Sequence, residues 1–186
     1  MTTKLAVTVR NTTGKGAARK ERIAGNIPGV LYADGKEATP ISFEPKALLN
    51  IFRESGNRNT IVELDFDGTV RKALVQDVQR HPVGRQVLHV DFLEVGGDKM
   101  VEVMVPLAGV GRPKGAELGG RLRLIRRDLK ARCKWDAIPE TFEVDITPMD
   151  IGDFCMASQV PAPEGVEIVI DRDFNVLTVY GKRGGR

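Results

Sequence analysis

Two groups of residues in this 186-residue chain have types and spacing that could do chemistry. The first is the run Gly14-Lys15-Gly16-Ala17-Ala18-Arg19-Lys20-Glu21-Arg22. Glycine-rich turns ahead of helices often hold phosphate, because the backbone can approach closely and the first N–H groups of the helix face the anion. This run is not a nucleotide loop. It lacks the G-x-x-x-x-G-K-[ST] order, and Arg19 stands where a dinucleotide fingerprint needs its third glycine. It retains a basic helix start in which Arg19 and Arg22, three apart, share a face. Spacing leaves two readings open, an ordinary solvated helix or a surface for a polyanion.

The second group is His81, His89 and Asp91. Imidazole and carboxylate can share a cation, so a metal-dependent hydrolase is one reading. No H-E-x-x-H motif and no nucleophile elbow accompanies them. On a strand face the same groups can equally bond bases and riboses. Just upstream, Gln76, Gln79, Arg80 and His81 of QDVQRHP can reach base edges and phosphates, or form a polar hairpin end.

The elements that must position these groups follow from apolar periodicity. KLAVTVR puts Leu5, Val7 and Val9 on one strand face and Lys4, Thr8 and Arg10 on the other. AARKERIA predicts a short helix ended by Gly25 and Pro28, and GVLYA a short strand. PKALLNIFRESG predicts a second helix, with Pro45 at its start, Leu48 and Phe52 one turn apart, and Gly56 as its stop. Val62, Leu64 and Phe66 alternate with Glu63 and Asp65 before Asp67-Gly68, a hairpin-turn dipeptide. In QVLHVDFLEV, Leu88, Val90 and Phe92 share a face, which leaves His89 and Asp91 as neighbours on the opposite one.

Gly96-Gly97 then interrupts the pattern and marks a candidate boundary, giving domains 1–95 and 96–186. Beyond it the alternation is strand-like, in Val101/Val103/Val105, Leu129/Ala131/Cys133/Trp135 and Phe142/Val144/Ile146, with Pro and Gly marking turns. The expected fold is mainly β (α+β), with a β-rich second domain. A second basic run, RLRLIRRDLKARCK, places Lys130, Arg132 and Lys134 on one strand face. That stripe is either a further RNA contact or a solvated face balanced by Glu140, Glu143, Asp145, Asp150 and Asp153.

Bulk composition agrees with a folded, soluble protein. The net charge of +3 lies in the first domain, where 14 Lys/Arg stand against 11 Asp/Glu, whereas the remainder has 14 of each. Residues 1–22 hold six basic groups against Glu21 alone. Cys133 and Cys155 form no C-x-x-C pair, so buried free thiols are expected. The start MTTKLAVTVR has no signal-peptide core and no membrane-length apolar run, so the cytoplasm is the expected compartment.

The strand ending in Arg10, then GKGAARKER, IPGVLY, QDVQRHP and HVDF, in that order, resemble the bacterial large-subunit ribosomal protein twenty-five family, which binds 5S rRNA. VPLAGVGRPKGAELGGRL, IPETFEVDI, MDIGD and PAPEGVEI resemble the extra C-terminal domain of its longer form, the general stress protein or CTC form. The resemblance implies a six-stranded N-terminal β-barrel with short helices, a structural constituent of the large ribosomal subunit bound to the loop E region of 5S rRNA. Its contact set, carried over by position, is Arg10, Lys15, Arg19, Lys20, Arg22, Tyr32, Gln76, Arg80, His81, His89 and Asp91. No catalysis, cofactor, metal, membrane or small-molecule substrate is implied. Lys20 departs from the usual second arginine and offers charge without a planar fork. A tRNA-binding module is a further alternative, because the anticodon-binding domain of some aminoacyl-tRNA synthetases resembles the same barrel.

Overall fold

Alternating apolar residues and a few turn residues account for most of the architecture. The computed structural model describes residues 3–33, 35, 37–55, 59–84 and 86–181. Two compact units emerge, Met1–Lys99 and Met100–Arg186. Among the described residues no helix is long and apolar enough to cross a membrane.

The first unit contains, in chain order, β1 (Thr3–Ala6), β2 (Thr8–Val9), α1 (Lys15–Ile23), β3 (Ile27–Tyr32), β4 (Thr39–Phe43), α2 (Pro45–Ser55), β5 (Ile61–Phe66), β6 (Thr69–Arg80) and β7 (Val87–Glu94). Its strands form one sheet in the order β1-β5-β6-β7-β3-β4-β2. The two edges of that sheet are halves of one segment broken at Val7. β1 runs parallel to β5, and β2 runs antiparallel to β4. The sheet therefore curls back on itself as a nearly closed barrel, of six staves when the broken segment counts once.

Inside lie Leu5, Val7, Leu31, Ile41, Phe43, Val62, Leu64, Val90 and Phe92, with Leu48 and Ile51 of α2 packed against them. The Phe43 and Phe92 rings meet edge to face at 5.6 Å. Asp67 and Gly68, both at positive φ (49° and 106°), close the β5–β6 hairpin as the dipeptide predicts. Gly29 is required by proximity: a Cβ there would lie 2.8 Å from the Val90 carbonyl oxygen and 3.0 Å from the Phe43 ring.

Several local expectations need correction. Val9 is 50% exposed rather than sharing the buried face of Leu5 and Val7, because the strand changes partners at Val7. α1 begins two residues early, at Lys15; in α2, Leu48 and Ile51 are fully buried and Phe52 packs partly buried against the same core. The expected stop of that helix, Gly56, lies outside the described residues. β4 has no counterpart in the sequence reading, since Pro40 inside it speaks against a strand.

The second unit contains β8 (Met100–Val110), β9 (Arg121–Leu124), β10 (Asp128–Lys134), β11 (Phe142–Asp145), β12 (Phe154–Met156), β13 (Val166–Ile168) and β14 (Asn175–Tyr180). They form a four-stranded sheet, β11-β8-β10-β13, and a three-stranded one, β12-β14-β9. Cys133 and Cys155 are both free and buried, and burial pushes both thiols up from their ordinary pKa.

Candidate nucleic-acid interface

The strand period sorts β7 into two faces. Val90 and Phe92 fill the barrel, while His89 and Asp91 turn outward. His89 Nδ1 lies 2.6 Å from Asp91 Oδ1. Both atoms are shielded from solvent, and neither makes a well-aligned hydrogen bond among the described residues, so the pair is held by proximity and leaves two polar atoms unsatisfied on this face. The second carboxylate oxygen, Oδ2, accepts the Tyr32 hydroxyl at 3.5 Å from the adjacent strand β3. Partial burial, and then the Asp91 carboxylate, push the Tyr32 phenol above its ordinary pKa. One carboxylate thus orients an imidazole and a phenol on the outside of the barrel.

Pairing extends this face. β6 sets Gln79 opposite His89 and Asp77 opposite Asp91, and β3 sets Val30 opposite Asp91. Gln76 is the extra residue of a bulge between Val75 and Asp77 and is exposed there. A second irregularity follows at Gln79/Arg80, where the partner strand skips Leu88. The Leu88 carbonyl receives the guanidinium of Arg22 at 3.2 Å, which ties α1 to this side of the barrel.

No residue of α1 is buried. Lys15, Arg19 and Arg22 follow one another at i, i+4 and i+7 and form a single exposed stripe, with Lys20 a quarter-turn away. No carboxylate sits in the first turn, so the positive end of the helix is uncompensated. Ile23, 77% exposed, adds an apolar side chain beside Lys20 that the sequence reading did not single out. An apolar residue at the end of a polar helix gives no periodic signal that could have flagged it.

Arg10 is differently employed. Its Nε donates to the Ile41 carbonyl at 2.9 Å and its Nη2 to the Gly29 carbonyl at 3.4 Å, fastening the chain after β2 to β3 and β4. Arg80 is exposed at the end of β6. His81 follows in a turn, where its Nδ1 accepts the amides of Gly84 (3.0 Å) and Val83 (3.3 Å). That nitrogen is engaged in the turn and is not available to the His89/Asp91 pair. Among the described residues no three His, Cys, Asp or Glu side chains gather as a metal-binding group. His81, His89 and Asp91 therefore do not assemble as the hydrolase reading requires.

The basic run of the second unit also resolves. Lys130 and Arg132 share one face of β10 as alternation predicts, but their counter-charge is Glu102 on β8. Glu102 lies 2.5 Å from Lys130 Nζ and 2.7 Å from Arg132 Nη2. β11, which carries Glu143 and Asp145 of the acids expected to balance this stripe, pairs with β8 rather than with β10.

A nearly closed barrel with an outward polar strand face and a basic helix, joined in sequence to a second β-rich unit, describes a structural binding protein. Residues 5–92 match the profile of the Ribosomal L25p family, and residues 100–183 match that of Ribosomal protein TL5, C-terminal domain. Similar proteins include the large ribosomal subunit protein bL25 of Sorangium cellulosum (37% identity, covering 95% of this chain and 77% of the relative). Those of Syntrophotalea carbinolica (39%; 97% and 88%) and Geobacter sulfurreducens (33%; 96% and 93%) match over nearly the same span. The chain belongs to the bL25 family of large ribosomal subunit proteins, in its two-domain form. It is accordingly a structural, non-enzymatic constituent of the large subunit, at work on the cytoplasmic ribosome.

Proposed function

We propose that the first unit binds 5S rRNA at its irregular loop E region, through the outer face of β6, β7 and β3 together with α1. The observation that carries this reading is the Asp91 carboxylate holding His89 and Tyr32 on an outward strand face. Beside that face stands a helix whose cations take no part in the core. Lys15, Arg19, Lys20, Arg22 and Arg80 supply charge for phosphates. Tyr32, Gln76, His89 and Asp91 offer rings, donors and acceptors for bases and riboses in a duplex too irregular to be read by its grooves alone. Arg10 and His81 hold backbone that carries the others.

The test is a filter-binding titration of the full chain against 5S rRNA at several salt concentrations. Contact with about four to six phosphates predicts a slope of log K against log salt of roughly −3 to −5. An equal-length RNA in which regular duplex replaces loop E should fail to displace the complex. A flat salt response, or equal competition by that RNA, would overturn the proposal.

A further inference from the structure

The basic run of residues 121–134 divides between two sheets, and among the described residues Arg121 and Arg123 of its first part have no acidic partner of the kind Glu102 provides to the second. Arg121 and Arg123 lie on β9. Pairing within the three-stranded sheet puts Phe154, Thr178 and Arg123 in one row and Tyr180 beside Arg121 in the next. The alternate residues Cys155, Leu177 and Val179 are buried, so these rows face outward. Phe154 is 53% exposed and Tyr180 46%, and both arginines are exposed. As diagonal neighbours on adjacent strands, the two rings lie within reach of one planar ligand or of two successive ones.

Neither arginine is paired with an acid among the described residues. The carboxylate nearest in sequence to the face, Asp153, is turned into its own loop, where Oδ2 accepts the Asp150 amide at 2.7 Å. Rings interleaved with unopposed guanidinium groups suit unstacked bases and their phosphates, the rings stacking and the cations tracking the backbone. We propose that the outer face of β12-β14-β9 is a second RNA-docking surface, which takes a single-stranded or looped RNA segment.

The test titrates the full chain with a fluorescein-labelled 12-nucleotide single-stranded RNA. Tyr180→Leu should weaken binding about tenfold, whereas Tyr180→Phe, which keeps the ring, should bind as the parent does. Arg121→Gln/Arg123→Gln, two exposed replacements that spare the core, should make the salt slope shallower by about 1.4, at about 0.7 per phosphate on a single strand. All three variants should retain the parent's 5S rRNA titration, which keeps this outcome separate from the proposal for the first unit. Equal weakening by Tyr180→Leu and Tyr180→Phe would overturn the stacking role. So would unchanged affinity and slope in the Leu and Gln variants, or loss of the oligonucleotide only in Lys15→Gln/Arg19→Gln. Capture of a protein but no RNA by this face would equally refute it.

Discussion

Asp91 shows how a carboxylate can belong in a surface proposed for RNA. Its two oxygens face His89 and Tyr32, groups that themselves turn outward. Asn at this position keeps the shape but has only one oxygen, so its NH2 must face either the imidazole or the phenol. Asp91→Asn is therefore expected to weaken 5S rRNA binding by about 1 to 3 kcal/mol and to narrow the preference for loop E, as read by parallel titrations with both RNAs. Tighter binding would mean that Asp91 acts only by repelling phosphate. The neighbour relation of His89 and Asp91 was legible from strand alternation alone. Tyr32 was not placed beside them by any spacing, because the parallel pairing of β3 with β7 joins residues about 60 apart in sequence. Gly29, on β3 opposite Val90 of β7, makes a separate prediction. Ala there would press against the Val90 backbone, which cannot move aside cheaply, and should lower stability by about 1 to 3 kcal/mol in urea unfolding followed by circular dichroism. An unchanged midpoint would show that β3 can shift.

At the scale of elements, the two basic segments that look alike in sequence part company. α1 presents its cations without buried residues, whereas the β10 stripe is clamped across the strand pair by Glu102. That acid stands nearly thirty residues upstream, so nothing local in the run could reveal it. Its hydrogen bonds to Lys130 and Arg132, and their charges, hold the Glu102 carboxyl well below its ordinary range, at about 2. A depressed folded-state value means that the pair's contribution is present above the ordinary carboxylate pKa and is lost as pH falls through about 2. Because solvent reaches and screens the carboxyl, the effect belongs to titration rather than to global stability. Carboxyl-carbon NMR should place the Glu102 midpoint near 2 and return it toward the usual range in Lys130→Met/Arg132→Met. An ordinary midpoint in the parent would contradict the clamp. β4 illustrates the opposite failure. Its backbone bonds with β3 and β2 outweigh the local signal of Pro40, whose carbonyl still accepts the Arg10 amide at 2.9 Å.

For the whole molecule, the β-rich class and the turn chemistry were legible in the residues, whereas closure of the barrel was not. Closure depends on one segment changing partners at Val7 from β5 to β4, a long-range pairing that no window of sequence encodes. The sequence boundary at Gly96-Gly97 and the compact unit ending at Lys99 differ by a few residues. Lys99 still donates to the Glu94 carbonyl at 3.0 Å, so a fragment meant to preserve the first unit should run through it. The central claim divides labour between the units, with 5S rRNA assigned to the first. Its most direct test is to titrate 5S rRNA with residues 1–99 and, separately, with residues 100–186. The first fragment should fold and bind nearly as tightly as the full chain, and the second at least tenfold more weakly, a gap of about 1.4 kcal/mol or more. Equal binding by the two fragments, or a folded first fragment without affinity for 5S rRNA, would contradict it.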